Sequence, residues 1–285
     1  MVRQMKLIEI LQKGVEQLKQ RSIEQPSLKV RIVVANCLGY SKEQLILKEE
    51  QIISKEDQLV CQKAIDKLAD GVPLQYITNQ QEFMKMPFYV DENVLIPRAD
   101  TEILVEEVIK SGITKETKLL DLCTGSGAIA IAVAKNTQIE NIVAIDISEN
   151  AIEIAKKNAK SNGVNTKIKF KKSDLFSEIE HEVFDIIVSN PPYISKQELQ
   201  ELQQEVKKEP SLALDGGIDG LDFYRSIANQ AAEHLKRNGK LFLEIGYQQK
   251  GCVIELLQKQ EKFHQIVAKR DLAGNDRVII ARKAE

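Results

Sequence analysis

Residues 119–130 read Leu-Leu-Asp-Leu-Cys-Thr-Gly-Ser-Gly-Ala-Ile-Ala, an apolar run that passes through two glycines into a second apolar run. The first run predicts a buried strand from Lys118 to Leu122, and the second predicts a helix from Ala128. Glycines at such a turn let the backbone approach a ligand, and the helix start exposes unpaired N–H groups. Many α/β proteins place glycine here only for packing, so the turn alone leaves both interpretations open.

The sequence after this turn alternates apolar runs of strand length with helical segments. Further strands are predicted at Asn141–Ile145, Lys167–Lys171, Phe184–Ser189 and Lys240–Ile245, and helices from Ser148, Leu221 and Gln248. Such alternation predicts the α/β class with a mostly parallel, doubly wound sheet. Phe263–Lys269 and Arg277–Arg282 have no helix between them, which predicts a terminal antiparallel hairpin on a seven-stranded sheet.

An acidic residue, Asp146, ends the second predicted strand about twenty residues beyond the glycine turn. A carboxylate at this place can hold a ribose diol, which NAD, FAD and S-adenosylmethionine all present. The dinucleotide fingerprint needs a third glycine, but Ala130 stands at that position. Without an evident diphosphate cradle, the pattern favours S-adenosylmethionine.

A second acidic residue, Asp174, follows the third predicted strand. Its carboxylate could accept a hydrogen bond from the exocyclic amine of adenine, with Leu175 and Phe176 as apolar cover. A plain helix N-cap explains Asp174 equally well.

The tetrapeptide Asn190-Pro191-Pro192-Tyr193 follows the apolar run Phe184–Ser189. Two successive prolines forbid helix and further ladder pairing, which leaves backbone carbonyls free. An Asn oxygen and a nearby carbonyl can accept both hydrogens of a planar NH₂ group, while a Tyr ring covers its flat face. The segment therefore predicts substrate recognition, although a rigid loop after a strand is the simpler alternative.

The amino-terminal part differs in type. Residues 1–71 predict a small helical bundle, with Ser27, Ser41 and Ser54 as helix caps. Residues 72–97 predict a β-hairpin linker in which Phe88–Val90 and Val94–Ile96 flank a turn at residues 91–93. Residues 98–285 then form the predicted catalytic domain, which begins with a helix over Thr101–Lys110.

The composition argues against several classes of function. The net charge is −2, so the chain has no basic excess of the kind typical of proteins that bind nucleic acid phosphates. Four scattered cysteines without Cys-x-x-Cys or His spacing argue against a disulfide framework and a zinc site. The chain has no signal-peptide pattern and no apolar stretch of membrane-spanning length, so we expect a cytoplasmic protein without membrane contact.

Taken together, these motifs carry a family resemblance. The glycine turn, Asp146, Asp174 and Asn190–Tyr193 resemble, in order and spacing, the class I S-adenosylmethionine-dependent methyltransferases that modify amide or amine nitrogen. Three upstream motifs narrow it to the HemK/PrmC family, whose members methylate the glutamine of the Gly-Gly-Gln motif in peptide chain release factors. These motifs are residues 73–78 (Pro-Leu-Gln-Tyr-Ile-Thr), Glu82-Phe83 and residues 95–102 (Leu-Ile-Pro-Arg-Ala-Asp-Thr-Glu).

The resemblance implies roles for residues that match the family motifs. Residues Cys123, Thr124, Gly125, Ser126 and Gly127 would form the S-adenosylmethionine loop, with Asp146 on the ribose and Asp174 and Leu175 beside the adenine. Asn190, Pro191, Pro192 and Tyr193 would hold the substrate glutamine, and Asn190 would also border the methyl group. Cys123 stands where many relatives have Gly, and Leu175 where some have an aromatic residue. In the family, the helical domain helps recognise the release factor.

The predicted chemistry needs no metal, because the sulfonium is already an activated methyl donor and becomes S-adenosylhomocysteine. The Asn190 side-chain oxygen and the Pro191 carbonyl would orient the amide nitrogen, and Asn190, Pro191 and Tyr193 are the predicted catalytic residues. We expect a monomer that acts on class 1 release factors, not on nucleic acid. The alternatives are a ribosomal-protein glutamine methyltransferase and a nucleic acid amino-methyltransferase, which would need a basic face.

Overall fold

The computed structural model describes residues 5–284, which form two compact units. One unit comprises the chain up to Gln80 together with Gln203–Lys208, and the other comprises Gln81–Leu202 and the chain from Glu209 onward. Among the described residues, no helix is both long enough and apolar enough to cross a bilayer.

The first unit is helical, as predicted. Its helices are α1 (Leu7–Gln20), α2 (Pro26–Leu38), α3 (Lys42–Leu47), α4 (Lys55–Ala69) and α5 (Leu74–Thr78). Ser41 and Ser54 cap α3 and α4 through their hydroxyl oxygens, in agreement with the prediction. The predicted Ser27 cap is wrong. Helix α2 begins at Pro26 with Gln25 at the N-cap position, so Ser27 lies within the first turn; the fixed φ of proline and its missing N–H suit this start.

A two-stranded hairpin follows, but not where the sequence predicted it. Strands β1 (Gln81–Phe83) and β2 (Met86–Phe88) pair antiparallel across Met84 and Lys85, which both have positive φ as a tight two-residue turn requires. Of the predicted strands Phe88–Val90 and Val94–Ile96, only Phe88 lies in a strand, as the last residue of β2. Backbone N–H groups there bond to side chains: Tyr89 donates to Asn158 Oδ1 at 2.7 Å, and Ile96 donates to Glu209 Oε2 at 3.1 Å.

The second unit is built on a seven-stranded sheet, which confirms the predicted fold class. The strands are β3 (Lys118–Leu122), β4 (Asn141–Asp146), β5 (Ile168–Lys172), β6 (Phe184–Ser189), β7 (Leu235–Glu244), β8 (Phe263–Arg270) and β9 (Asp276–Lys283). Their order is β5-β4-β3-β6-β7-β9-β8. The first five in this order are parallel, and β9 runs antiparallel to both neighbours, as predicted for the terminal hairpin.

Helices cover both faces of this sheet. They are α6 (Asp100–Ile109), α7 (Ala128–Asn136), α8 (Glu149–Ser161), α10 (Asp222–His234) and α11 (Lys250–Lys259), whereas the short α9 (Lys196–Glu201) has no buried residue. Leu119 packs with α6 and α7 on one face, whereas Leu120 packs with α10 and α11 on the other. This split follows from the two-residue period of a strand.

The order in which strands are added to the sheet changes side between β3 and β6. The chain runs from β3 outward through β4 to β5, and then returns to place β6 on the other side of β3. In an open parallel sheet, a crevice forms at the carboxyl ends of the strands where the order reverses. The glycine turn after β3 and the Asn190–Tyr193 loop after β6 therefore meet at one edge of the sheet.

Candidate active site

The glycine turn after β3 uses its two glycines for different purposes. Both have positive φ, +53° at Gly125 and +83° at Gly127. A Cβ on Gly127 would lie 2.9 Å from Ile131 Cδ1 and 3.1 Å from Ala155 Cβ, so this glycine allows α7 and α8 to pack closely. A Cβ on Gly125 would meet no atom within 4 Å, because this residue borders a cavity. Gly125 is therefore the position where a ligand can approach the backbone.

A buried carboxylate, Asp121, holds the turn in shape. Asp121 Oδ2 accepts hydrogen bonds from Thr124 Oγ1 at 2.6 Å and from the Ala130 backbone N–H at 3.2 Å. Burial raises the pKa of Asp121 to about 7, against these two hydrogen bonds. This role of Asp121 was not predicted from the sequence. A charged residue inside an otherwise apolar strand could have indicated it, because a buried carboxylate is costly unless it has hydrogen-bond partners.

Asp146 joins the end of β4 to the glycine turn. Its Oδ2 accepts from the Gly125 backbone N–H and its Oδ1 from the Ser148 backbone N–H, both at 2.9 Å. Burial raises the pKa of Asp146, while the backbone hydrogen bonds from Ser148 and Gly125 oppose that rise. Since each carboxylate oxygen can accept more than one hydrogen bond, Asp146 retains acceptor capacity toward the adjoining cavity.

The cavity at this edge has a volume of about 230 Å³. Several predicted site residues line it: Cys123, Gly125, Asp146, Asp174, Leu175, Asn190 and Pro192. Thr124 and Ser126 are buried beneath the turn, so they shape the loop without lining the cavity. The sequence analysis missed other lining residues, among them Glu92, Leu95, Ile147, Leu212 and Phe223. They come from loops and a helix that meet only in the folded chain.

Asp174 lies in a non-helical segment after β5 and lines the cavity. Residues 174–178 form turns, so Asp174 is not a helix N-cap. Ser173 closes this turn instead: its Oγ donates to the Leu175 carbonyl at 2.7 Å and accepts from the Glu178 N–H at 3.1 Å. Leu175 has a positive φ of 46°, which is uncommon for a bulky residue and turns its side chain to the cavity wall.

Asn190 is anchored through its amide nitrogen. Asn190 Nδ2 donates to Thr101 Oγ1 of helix α6 at a distance of 3.2 Å. The contact leaves the side-chain oxygen Oδ1 as the acceptor that the residue can offer to another molecule. The residue lines the cavity at the same time, so this acceptor stands beside the space that Gly125 and Asp146 border.

Tyr193 lies on the other side of the loop. It lines a second cavity of about 560 Å³, together with Arg98, Asp100, Glu198 and Arg277 among others. Burial first, and the Glu244 carboxyl second, raise the pKa of Tyr193 to about 12, so its hydroxyl keeps its proton at neutral pH. The Asn190–Tyr193 loop thus borders one cavity through Asn190 and Pro192 and the other through Tyr193.

The backbone of Tyr193 is held tightly. Gln249 Nε2 donates to its carbonyl oxygen at 2.9 Å. Two glycines pack closely against this backbone. A Cβ on Gly216 would lie 2.8 Å from Tyr193 Cα, and a Cβ on Gly220 would lie 2.4 Å from the Tyr193 carbonyl oxygen. The loop is therefore rigid on the side that faces the second cavity.

The site lacks other obvious reactive groups. Burial, followed by the charge of Asp146, raises the pKa of the Cys123 thiol, so Cys123 is not a thiolate nucleophile. Within residues 5–284, no cluster of three or more His, Cys, Asp or Glu side chains could hold a metal ion. Binding and orientation are the functions that this geometry supports.

Comparison with known proteins places the chain among methyltransferases. The family model of the PrmC N-terminal domain matches residues 9–78, and that of the methyltransferase small domain matches residues 98–219. The release factor glutamine methyltransferase of Fusobacterium nucleatum is 41% identical over 97% of this chain and 79% of its own length. The Moorella thermoacetica protein of the same name is 36% identical over 99% of this chain and 100% of its own.

A solved structure shares the fold. The ribosomal protein L11 methylase of Lactobacillus delbrueckii subsp. bulgaricus superposes with a TM-score of 0.51 at 22% identity, over 72% of this chain and 89% of its own. At this level of identity the likeness concerns the architecture of the sheet and its helices.

Proposed function

Because this chain belongs to the family of release factor glutamine methyltransferases, we propose that the cavity pair around Asn190–Tyr193 is its active site. There a methyl group passes from S-adenosylmethionine to the side-chain amide nitrogen of the glutamine in the Gly-Gly-Gln motif of a release factor. The observation that carries this proposal is the position of Asn190. Its nitrogen is bound to Thr101, and its oxygen remains available beside the cavity at the carboxyl edge of the sheet.

The charge of the first cavity supports S-adenosylmethionine as cofactor. Three acidic residues line it, Glu92, Asp146 and Asp174, and none of the described lining residues is basic. Such a surface attracts a cationic sulfonium and repels the diphosphate of a dinucleotide. The open space over Gly125 and the acceptor capacity of Asp146 fit the close approach of a ligand that carries a ribose.

The residues that line the cavity would hold the cofactor in the following way. Asp146 would accept hydrogen bonds from the ribose hydroxyls, Asp174 would accept one from the adenine amine, and Leu175 would cover the base. The loop Cys123–Gly127 would border the cofactor, with open space for it over Gly125. When bound, S-adenosylmethionine supplies an electrophilic methyl group and needs no metal for its activation.

The substrate amide requires orientation, since its nitrogen lone pair is delocalised into the carbonyl. The Asn190 side-chain oxygen and the Pro191 backbone carbonyl accept its two N–H hydrogens, and Tyr193 and Pro192 border the flat faces of the amide. Favourable placement of two reactants can contribute on the order of 7 kcal/mol or more. Tyr193 keeps its own proton and is not a base. The amide proton leaves after methyl transfer, when the nitrogen has become strongly acidic.

The substrate range belongs to the same proposal. Class 1 release factors are the partners, and the helical unit that contains α1–α5 contributes to their recognition. Cytoplasmic location and a monomeric state stay predictions from the sequence. Nucleic acid is not the substrate, which agrees with the acidic lining of the cavity and with a net charge of −2.

A methyl-transfer assay tests the proposal. Radiolabelled S-adenosylmethionine is incubated with the enzyme and a release factor in wild-type and Gln-to-Ala forms, beside tRNA, DNA and ribosomal proteins. Label should appear on the wild-type release factor alone. Label on ribosomal protein or nucleic acid would contradict the proposed substrate.

The variant Asn190→Ala tests the role of the loop. It should lower kcat by roughly 100-fold or more, as the loss of one positioned polar group does at other active sites, while cofactor affinity stays close to that of wild type. Asn229→Ala is the matched control, because Asn229 lies on α10 and its side-chain oxygen accepts a hydrogen bond from Gln260 Nε2 at 2.7 Å. Equal kcat values for N190A and N229A would refute the proposed binding of the substrate amide by Asn190.

A further inference from the structure

A buried carboxylate lies level with Asn190 in the sheet. Glu244 is the last residue of β7, and the register pairs its neighbour Leu243 with Ser189, the residue before Asn190. Only 1% of the Glu244 surface is exposed. By the two-residue period of the strand, its side chain shares the face of Phe242, on which α6 packs. The buried Thr101 of α6 is on that face.

Glu244 forms a connected group with Thr101 and Asn190. Both side chains lie close enough to its carboxyl group to oppose the rise in its pKa, and Asn190 Nδ2 donates to Thr101 Oγ1 at 3.2 Å. The Tyr224 hydroxyl donates to the Glu244 backbone carbonyl at 2.8 Å, which anchors the residue from the opposite face of the sheet. Glu244 Oε2 has no hydrogen-bond partner among the described residues.

The direction of these hydrogen bonds follows from the chemistry of the groups. Above its pKa of about 7 the Glu244 carboxyl is ionised and can only accept, so the neighbouring Thr101 hydroxyl turns its single hydrogen toward Glu244. The Thr101 oxygen can then only accept from Asn190. The nitrogen of the Asn190 amide must therefore face Thr101 and Glu244, and its oxygen must face away. Without a fixed acceptor, the two ends of an Asn amide are nearly equivalent in shape and the group can rotate by half a turn.

We propose that Glu244, acting directly and through Thr101, is a positioning residue that holds the Asn190 side-chain oxygen toward the substrate amide. The catalytic consequence rests on the proposed function, because it assumes that Asn190 binds the glutamine. The orientation of the Asn190 amide in the free protein does not depend on that function and can be measured separately.

Kinetics of isosteric variants test the catalytic consequence. Glu244→Gln presents an NH₂ group that can reverse the hydrogen-bond direction, and Thr101→Val removes the hydroxyl at constant shape. Each should lower kcat roughly 10- to 100-fold with an unchanged KM for the cofactor, because misorientation of a reacting pair costs this much. Thr101→Ser keeps the hydroxyl and should restore most of the activity lost in T101V. The double variant should be no slower than the slower single variant, since both changes break one chain.

Thr117→Val is the matched control for T101V. Thr117 is also buried and accepts a backbone hydrogen bond from Thr114, but it precedes β3 at the opposite edge of the sheet. Equal kcat values for E244Q, T101V and T117V, together with active wild type, would overturn the catalytic role of Glu244 and leave the proposed function intact.

A spectroscopic measurement tests the orientation without any activity. In ¹⁵N-labelled protein, the side-chain amide signals of Asn190 are those missing from N190A. Burial raises the pKa of Glu244 to about 7, while the nearby Thr101 hydroxyl, the charge of Arg277 and the Asn190 amide oppose that rise. Asp100, Tyr193 and Tyr224 also face this carboxyl. The Asn190 signals should shift with pH near neutrality in wild type and stay constant in E244Q.

The two measurements separate the possible failures. If wild type does not methylate the release factor but the Asn190 signals titrate as described, the proposed function fails and the positioning role of Glu244 stands. If the signals do not respond to pH or to E244Q, the positioning proposal is overturned whatever the activity.

Discussion

Gly127→Ala should destabilise the protein strongly, and the structure gives the magnitude. With φ at +83°, any residue with a Cβ costs about 1–2 kcal/mol at this position. The added Cβ would also lie 2.9 Å from Ile131 Cδ1 and 3.1 Å from Ala155 Cβ, an overpacking that costs about 1–3 kcal/mol. The free energy of unfolding should therefore fall by about 2–5 kcal/mol.

Two other glycines separate these contributions. Gly112 and Gly125 also have positive φ, but a Cβ on either would meet no atom within 4 Å. Each Ala variant should lose only the backbone contribution of about 1–2 kcal/mol. The gain from a less flexible unfolded chain is common to all three variants and cancels in the comparison. Gly125→Ala should in addition weaken cofactor binding, because its methyl group projects into the cavity that Gly125 borders.

The assay is denaturant unfolding followed by circular dichroism, since the chain contains no tryptophan. Calorimetric binding of S-adenosylhomocysteine is measured on the same samples. G127A should be less stable than G112A and G125A, and G125A alone should combine near-control stability with weak binding. If G127A were as stable as G112A, or if G125A bound the cofactor product as wild type does, the division of roles between the two glycines would be wrong.

Two further predictions concern the buried acids. Asp146→Asn keeps one acceptor but turns an NH₂ group toward a backbone donor. Affinity for S-adenosylhomocysteine should therefore fall roughly 10- to 100-fold, which corresponds to a loss of about 1.5–3 kcal/mol. The control is Asp185→Asn, which changes an ion-paired residue remote from the cavity and should leave the affinity unchanged in the same titration. Burial raises the folded-state pKa of Asp121 to about 7, so the folded state holds the proton more tightly than the unfolded chain and ionisation at higher pH opposes folding. Its contribution to stability is therefore present at low pH and is lost as pH rises from about 4 to about 7. The stability of wild type relative to Asp121→Asn should decline over that window by up to about 1.4 kcal/mol per pH unit, and a constant difference in unfolding free energy between the two proteins at pH 5 and pH 7 would contradict the assignment.

Strand positions were predictable because each strand is a short apolar run bounded by polar or turn residues. The predicted limits of β3 and β6 are those of the structure, β4 differs by one residue at its end, and β5 is shifted by one residue at both ends. Strand β7 begins at Leu235 and not at the predicted Lys240, and it ends at Glu244, one residue before the predicted end. The limits of the hairpin before α6 were not predictable in this way. Two stretches of residues 81–96 have strand-like composition, and the choice between them depends on Asn158 and Glu209, which are distant in sequence.

The candidate site divides in the same manner. Asp146, Asp174 and Asn190 were found from the sequence, because each follows a strand and the carboxyl ends of parallel strands meet at one edge. Asp121, Glu244 and Phe223 were not found. Their roles depend on contacts with residues from other elements, and a carboxylate within a strand gives no sign of which partners surround it.

By itself, the sequence determined the order of strands and helices along the chain, the class of a doubly wound, mostly parallel sheet, and the family to which the motifs belong. These features depend on local periodicity and on residue types at short spacing, which the chain carries without folding. Only the tertiary structure decided which end of the Asn190 amide faces outward, which glycine admits a ligand, and that the described lining of the first cavity carries three acids and no base. Those properties depend on side chains brought together from distant positions, because the direction of a hydrogen bond, the free space and the net charge at a site are set by all the residues that surround it.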